Sequence, residues 1–222
     1  MESFVQSSSS SGQSIDESPR FARVILGGSL FLSFILLLLW CWPRTITGSG
    51  GIPIPGKIVL SVPQFFQGDE HWGRDHLGST SGTLGAEGCA VTSASMVLSH
   101  YGIDVDPGKL NKFLTENNGY EGRAWLRWEG AALFNPGLVE KAYEDLPSYA
   151  RIDWNLMHGN PVIVRVRLAD GITHFVVIVG KRGLDYLIRD PAGRGREDAG
   201  RIYPFRCLGV PIEALRYYRR IR

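Results

Sequence analysis

Residues 24–43 carry no charge: between Arg23 and Arg44 run twenty residues that include FLSFILLLLWCW. At about 1.5 Å rise per residue, a helix of that length measures roughly 30 Å, one hydrocarbon thickness. Trp40 and Trp42 close the run, where amphipathic rings favour the headgroup level. A cleaved signal would have an apolar part of only about 7–15 residues, followed by small residues. Here the run is longer and ends in Trp-Cys-Trp-Pro-Arg, and Cys41 lacks the small residues that precede a lipoprotein cysteine. The segment reads as an uncleaved anchor of one transmembrane helix. Arg20 and Arg23 flank one side of the span and Arg44 and then Lys57 the other; the two arginines of the N-terminal flank lie closer together at the span, a slight bias towards an internal N-terminus and an external C-terminal part.

The span divides the chain. Residues 1–23, with the run SSSSSGQS, read as a disordered N-terminal tail. Residues 44–57, containing TGSGGIPIPGK, read as a flexible linker of Gly, Pro and Ser type. The remainder, 58–222, has the size of one folded domain and shows no internal repeat. Lys plus Arg (24) nearly balance Asp plus Glu (22), which argues against an electrostatic nucleic-acid binder. Three cysteines exclude a disulfide scaffold, and the odd count leaves at least one thiol without a partner in the chain. The histidines outside the site discussed below have no paired spacing that would ligate a metal, and no cofactor is indicated.

Within the domain, residues 58–62 (IVLSV) read as a short strand stopped by Pro63, and 68–88 as a long surface loop. Residues 89–101 (CAVTSASMVLSHY) read as a buried helix that Gly102 ends. Asp106 caps a second helix with Pro107 in its first turn, and Leu110, Phe113 and Leu114 form its apolar stripe. Weaker helices are expected over 137–145 and 153–158, then strands over 161–168, 174–179, 185–190, 201–205 and 213–218. Helices first and an antiparallel sheet afterwards make an α+β pattern.

Lys181-Arg182-Gly183 links two of these strands, and a three-residue hairpin loop wants a left-handed residue at its end, which Gly183 supplies. In that register His174 stands opposite Asp190 on one face, within reach of a carboxylate–imidazole hydrogen bond. A slip of one residue would break the pairing. Cys89 follows Gly88 at a helix start, where free N–H groups stabilise a thiolate. A cysteine, a histidine to take its proton and an acid to orient the histidine make an activated nucleophile. Gln64, Gln67 and the Cys89 backbone N–H are candidate donors to an oxyanion.

The segments VPQFFQGDEHWG, EGCAVTSASMVLSHYG, GNPVIVRV, THFVVIVG and YLIRDPAG, in that order, resemble the bacteriocin-processing cysteine peptidase family, in particular its stand-alone branch. The resemblance covers residues 58–204 and implies a papain-like fold, with N-terminal helices packed on an antiparallel sheet. It also implies Cys89 as nucleophile, His174 as base, Asp190 as its orienter and Gln67, which precedes Trp72, as the oxyanion donor. The long insertion between Gln67 and Cys89 departs from compact members. The expectation is a membrane-anchored thiol hydrolase cutting peptide bonds outside a bacterial cytoplasm, with a peptide or protein substrate and the membrane as its expected partners and no nucleic acid. The alternatives are a silent peptide-binding module of the same fold, or a murein endopeptidase or amidase of the cell wall.

Overall fold

The computed structural model describes residues 44–193 and 200–221. The expected tail and the expected anchor both lie outside the described residues, among which no helix is long and apolar enough to cross a membrane. The elements run β1 (Ser49–Val59), α1 (Leu84–Glu87), α2 (Cys89–His100), α3 (Pro107–Glu116), β2 (Tyr120–Glu121), β3 (Trp125–Leu126) and α4 (Trp128–Ala132). After them come β4 (Val139–Asp145), α5 (Tyr149–Met157), β5 (Val162–Arg167), β6 (Thr173–Arg189), β7 (Tyr203–Pro204), a 3-10 turn (Phe205–Leu208) and β8 (Ile212–Arg220).

The main sheet is antiparallel in the order β1-β6-β5-β8-β4, with β7 added on β6. Its alternating side chains build two cores. Ile163, Phe175, Val177 and Val179 face α2, α3 and α4, whereas Val162, Val164, Val176 and Ile178 face α5 and Phe205. Period-2 alternation in PVIVRVRL and HFVVIV thus supplies a layer of helices on each side. The second helix forms as its cap predicts: the Asp106 side chain accepts from the Lys109 N–H, and Pro107 opens the first turn.

Strand β6 doubles back on itself. All of Thr173–Arg189 is extended, yet His174 and Asp190, at its two ends, are joined by a 2.8 Å hydrogen bond. Unbroken extension would part them by roughly 50 Å. Gly183, with φ of 57°, is the one left-handed residue in the segment, and β1 pairs along the bend from Gly180 to Asp185.

Three parts of the domain differ from the sequence reading. The stretch expected as a linker is built into the fold: Ile46 bridges Ile212, and Ser49–Val59 forms β1. Its attachment is a fully buried cluster. The Lys181 ammonium donates to Gly50 O, Ile52 O and Asp153 Oδ1 at 2.7–2.8 Å, and Tyr186 donates its hydroxyl hydrogen to the same Asp153 oxygen. Ile52 N–H binds Asp153 Oδ2, and a Cβ on Gly51, whose φ is +71°, would overlap that oxygen. Glycine is therefore what lets this chain approach the carboxylate, and Gly-Gly here is a packing device as much as a flexible one.

The second difference is Val139–Asp145, expected as a helix and found as a strand. Its partner β8 supplies complementary side chains: Glu140 binds Arg219, Glu144 meets Arg216, and Tyr143 stacks on Tyr217. Cross-strand pairs of this kind outweigh the local helical pattern. Arg216 and Arg219 are thereby engaged in internal pairing. Third, the long loop 68–88 is folded rather than loose, since Leu77 and Leu84 are buried and Gly85 N–H bonds Gly73 O.

Candidate active site

Cys89 is the first residue of α2, and Gly88 is its N-cap. A Cβ on Gly88 would overlap the Leu84 carbonyl oxygen, so glycine is what allows α1 and α2 to join so closely. The cysteine is 8 % exposed and His174 6 % exposed, and both line a cleft of about 390 Å³. Asp190, Gln64 and Gln67 line the same cleft, so every site residue expected from the sequence is brought to one place.

Asp190 Oδ1 accepts from His174 Nε2 at 2.8 Å, which leaves Nδ1 as the ring nitrogen free for Cys89. Burial alone would depress the His174 pKa. The hydrogen bond to Asp190, a hydrogen bond to Cys89 and the charge of both outweigh it and push His174 up to about 9. Burial likewise works to raise Asp190, but the bond to His174 and its charge, with donors from Ala192 N–H and Tyr203 O–H, hold the carboxyl below its usual range. The imidazolium–carboxylate pair is thus the form that the fold favours.

The two glutamines are not equivalent. Gln64 spends both amide hydrogens on backbone, donating to Phe65 O and Asp190 O. Gln67 donates to Gly85 O and has one amide hydrogen left, while its own N–H binds Pro191 O. Gln64 therefore holds the main chain at Asp190, and Gln67 alone of the two keeps a donor for a bound oxygen. The folded insertion explains how Gln67 reaches Cys89 across so many residues, because Gly85, its acceptor, sits four positions before the thiol. Trp72 donates its indole N–H to Phe66 O, bracing the same loop.

Other residues also contribute to the site. Tyr203 on β7 reaches Asp190 Oδ2 at 2.9 Å. Trp125, on the small β2–β3 hairpin, and Ile172, before β6, both line the cleft with about half their surface exposed (54 % and 52 %). Trp128, three residues after Trp125, is instead core, packed with Phe175 against the Arg216 guanidinium. Tyr203 carries no local signal, since it acquires its place through the pairing of β7 with β6.

The pH dependence of stability follows from His174. Its proton is held up to about 9 in the fold but only to about 6.5 in an unfolded chain. A raised pKa stabilises fully below the unfolded value and is lost as pH rises through the folded one. Between about pH 7 and about pH 10 the thermal midpoint of the wild type should therefore fall more than that of His174→Gln. Parallel decline of the two in calorimetry would contradict the assignment.

A helical layer carrying a cysteine at a helix start, followed by a sheet carrying a histidine and then an aspartate, is the arrangement of the papain-like cysteine peptidases. The sequence profile of the Peptidase_C39 like family matches residues 59–219, and the chain belongs to that family. Among solved structures, a Bacillus anthracis protein described as a C39-like peptidase is similar, at 18 % identity and a TM-score of 0.47, over 76 % of this chain and 100 % of that one. No curated protein matches the chain.

Proposed function

We propose that this protein is a thiol hydrolase that cuts peptide bonds, held at a membrane by residues 24–43 with its domain on the outer side. The observation that carries the reading is the hydrogen-bonded His174–Asp190 pair set beside Cys89 at the start of α2 in an open cleft. In this reading Cys89 Sγ, as thiolate, attacks the carbonyl carbon of the scissile amide. The developing oxyanion takes hydrogen bonds from the Cys89 backbone N–H and the remaining Gln67 amide hydrogen. His174 then protonates the departing amine as the C–N bond breaks, leaving a thioester on Cys89. Water, deprotonated by His174, hydrolyses the thioester and restores the thiol. Asp190 touches no substrate and acts by fixing the imidazole.

The anchor rests on the uncharged run of twenty residues.

Incubating the full chain in detergent with a diverse peptide mixture, and reading new termini by mass spectrometry, tests the activity. Cleavage is expected and should vanish in Cys89→Ala. No cleavage with retention of peptides would favour a binding module, and cleavage that survives in Cys89→Ala would remove Cys89 from the chemistry. Recovery of the chain in the soluble fraction without detergent would rule out the anchor.

A further inference from the structure

His174 is positioned by Asp190, but Asp190 itself needs positioning. A carboxylate on a strand end can turn about its own χ2, and each turn would swing Oδ1 away from the imidazole. Two donors oppose that motion. Ala192 N–H reaches Oδ1 at 2.8 Å from the turn that follows, and Tyr203 O–H reaches Oδ2 at 2.9 Å from the neighbouring strand. The first is local, made by any Asp that turns the chain two residues on. The second is not local. Tyr203 belongs to β7, whose pairing with β6 sets Tyr203 across from Ile188, two residues before Asp190. A two-residue strand with this placement brings a phenol to the one carboxylate oxygen that His174 leaves free.

We infer that Tyr203 is a positioning residue of the site: it locks the Asp190 carboxylate in the orientation that holds His174 towards Cys89. The inference rests on the reading of Cys89 and His174 as a reactive pair. Among the described residues, the titratable groups linked to Asp190 are His174, Tyr203 and Cys89. His174 faces it from the other end of β6, Tyr203 from β7, and Cys89 acts from α2 through the imidazole. Arg189, next in sequence, turns its guanidinium to Gly200 O and Gln64 Oε1 instead. A phenol held to a carboxylate is a charge-assisted donor, among the stronger kinds. Its loss should be felt in the pair it supports more than in the fold, because phenylalanine keeps the ring.

The test is the rate of iodoacetamide alkylation at Cys89 as a function of pH, measured on the full chain in detergent by peptide mapping. Wild type, Tyr203→Phe, Asp190→Ala, the Tyr203→Phe/Asp190→Ala double variant and His174→Ala are compared. Tyr203→Phe is expected to slow alkylation near pH 6 by about tenfold and to move the acid limb upward, towards the profile of His174→Ala. Because Tyr203 acts through Asp190, the phenylalanine change should add nothing in the Asp190→Ala background. A purely structural tyrosine would lower stability without moving the limb.

A Tyr203→Phe profile superimposed on that of the wild type would overturn the assignment, as would an equal loss with and without Asp190. If Tyr203→Phe does not fold, the Tyr203→His variant, whose ring can still donate to Oδ2, is expected to keep the acid limb near its wild-type position. A limb displaced as far as in His174→Ala would overturn the assignment. A wild-type profile indifferent to His174→Ala is a different failure, since it removes the reactive pair and the tyrosine's role with it.

Discussion

Methionine in place of Lys181 should cost the domain about 3–5 kcal/mol, the usual penalty for stranding one member of a buried ion pair. Lys181 and Asp153 are 0 % and 1 % exposed at the side chain, and their 2.7 Å contact lies where β1 meets the bend of β6. Every ammonium hydrogen of Lys181 has an acceptor, and both Asp153 oxygens have donors. Removing the ammonium leaves a buried carboxylate and two carbonyls without their partner. Against a typical total of about 5–15 kcal/mol, that is a large share. The same reasoning makes the double variant Lys181→Met/Asp153→Leu milder than Lys181→Met alone, because no bare charge remains. Urea midpoints would decide: a Lys181→Met shift worth less than about 1 kcal/mol would mean that the cluster is wet or loosely held. Gly51→Ala should show the same weakness, since the new methyl group meets the Asp153 carboxylate.

The second large effect is chemical. His174→Ala should lower peptide cleavage by about 10²–10⁴-fold, the range for a positioned general acid–base group. The fold should survive, because His174 lies at the cleft wall while the adjoining Phe175, Val177 and Val179 keep the core. The wild-type rate should hold from neutral pH upward and then fall as the imidazolium proton is lost near 9. A variant with wild-type kcat/KM would show that the histidine is a spectator.

Much of this is legible in the sequence, for local reasons. A cap residue, a proline in the first turn and an apolar stripe are local signals, and they foretell Pro107–Glu116 well. The His174–Asp190 contact was legible because a hairpin converts turn chemistry into register, and register decides which side chains face each other. What escaped depended on partners far along the chain. Residues 49–59 read as a linker because Gly, Pro and Ser are what linkers contain; nothing nearby says that Lys181 and Asp153 wait for their carbonyls. Val139–Asp145 has a helix-compatible pattern, and only β8 makes it a strand. Cys207 is exposed, because the 3-10 turn points it outward while Phe205 takes the core position. Tyr203 escaped for the same reason as β1: its meaning lies in what it pairs with.

The central claim is that Cys89 is a thiolate-forming nucleophile sustained by His174. The most direct measurement is iodoacetamide labelling of the full chain near pH 6, in a Cys41→Ser/Cys207→Ser background that leaves Cys89 as the one thiol, followed by mass and peptide mapping. An ordinary thiol with a pKa of about 8.5 is less than ~1 % thiolate there and labels slowly. Fast labelling at Cys89 that slows at least ~10-fold in His174→Ala is the result expected. Slow labelling, unchanged by the loss of His174, would contradict the account and leave the cleft as a place for binding rather than chemistry.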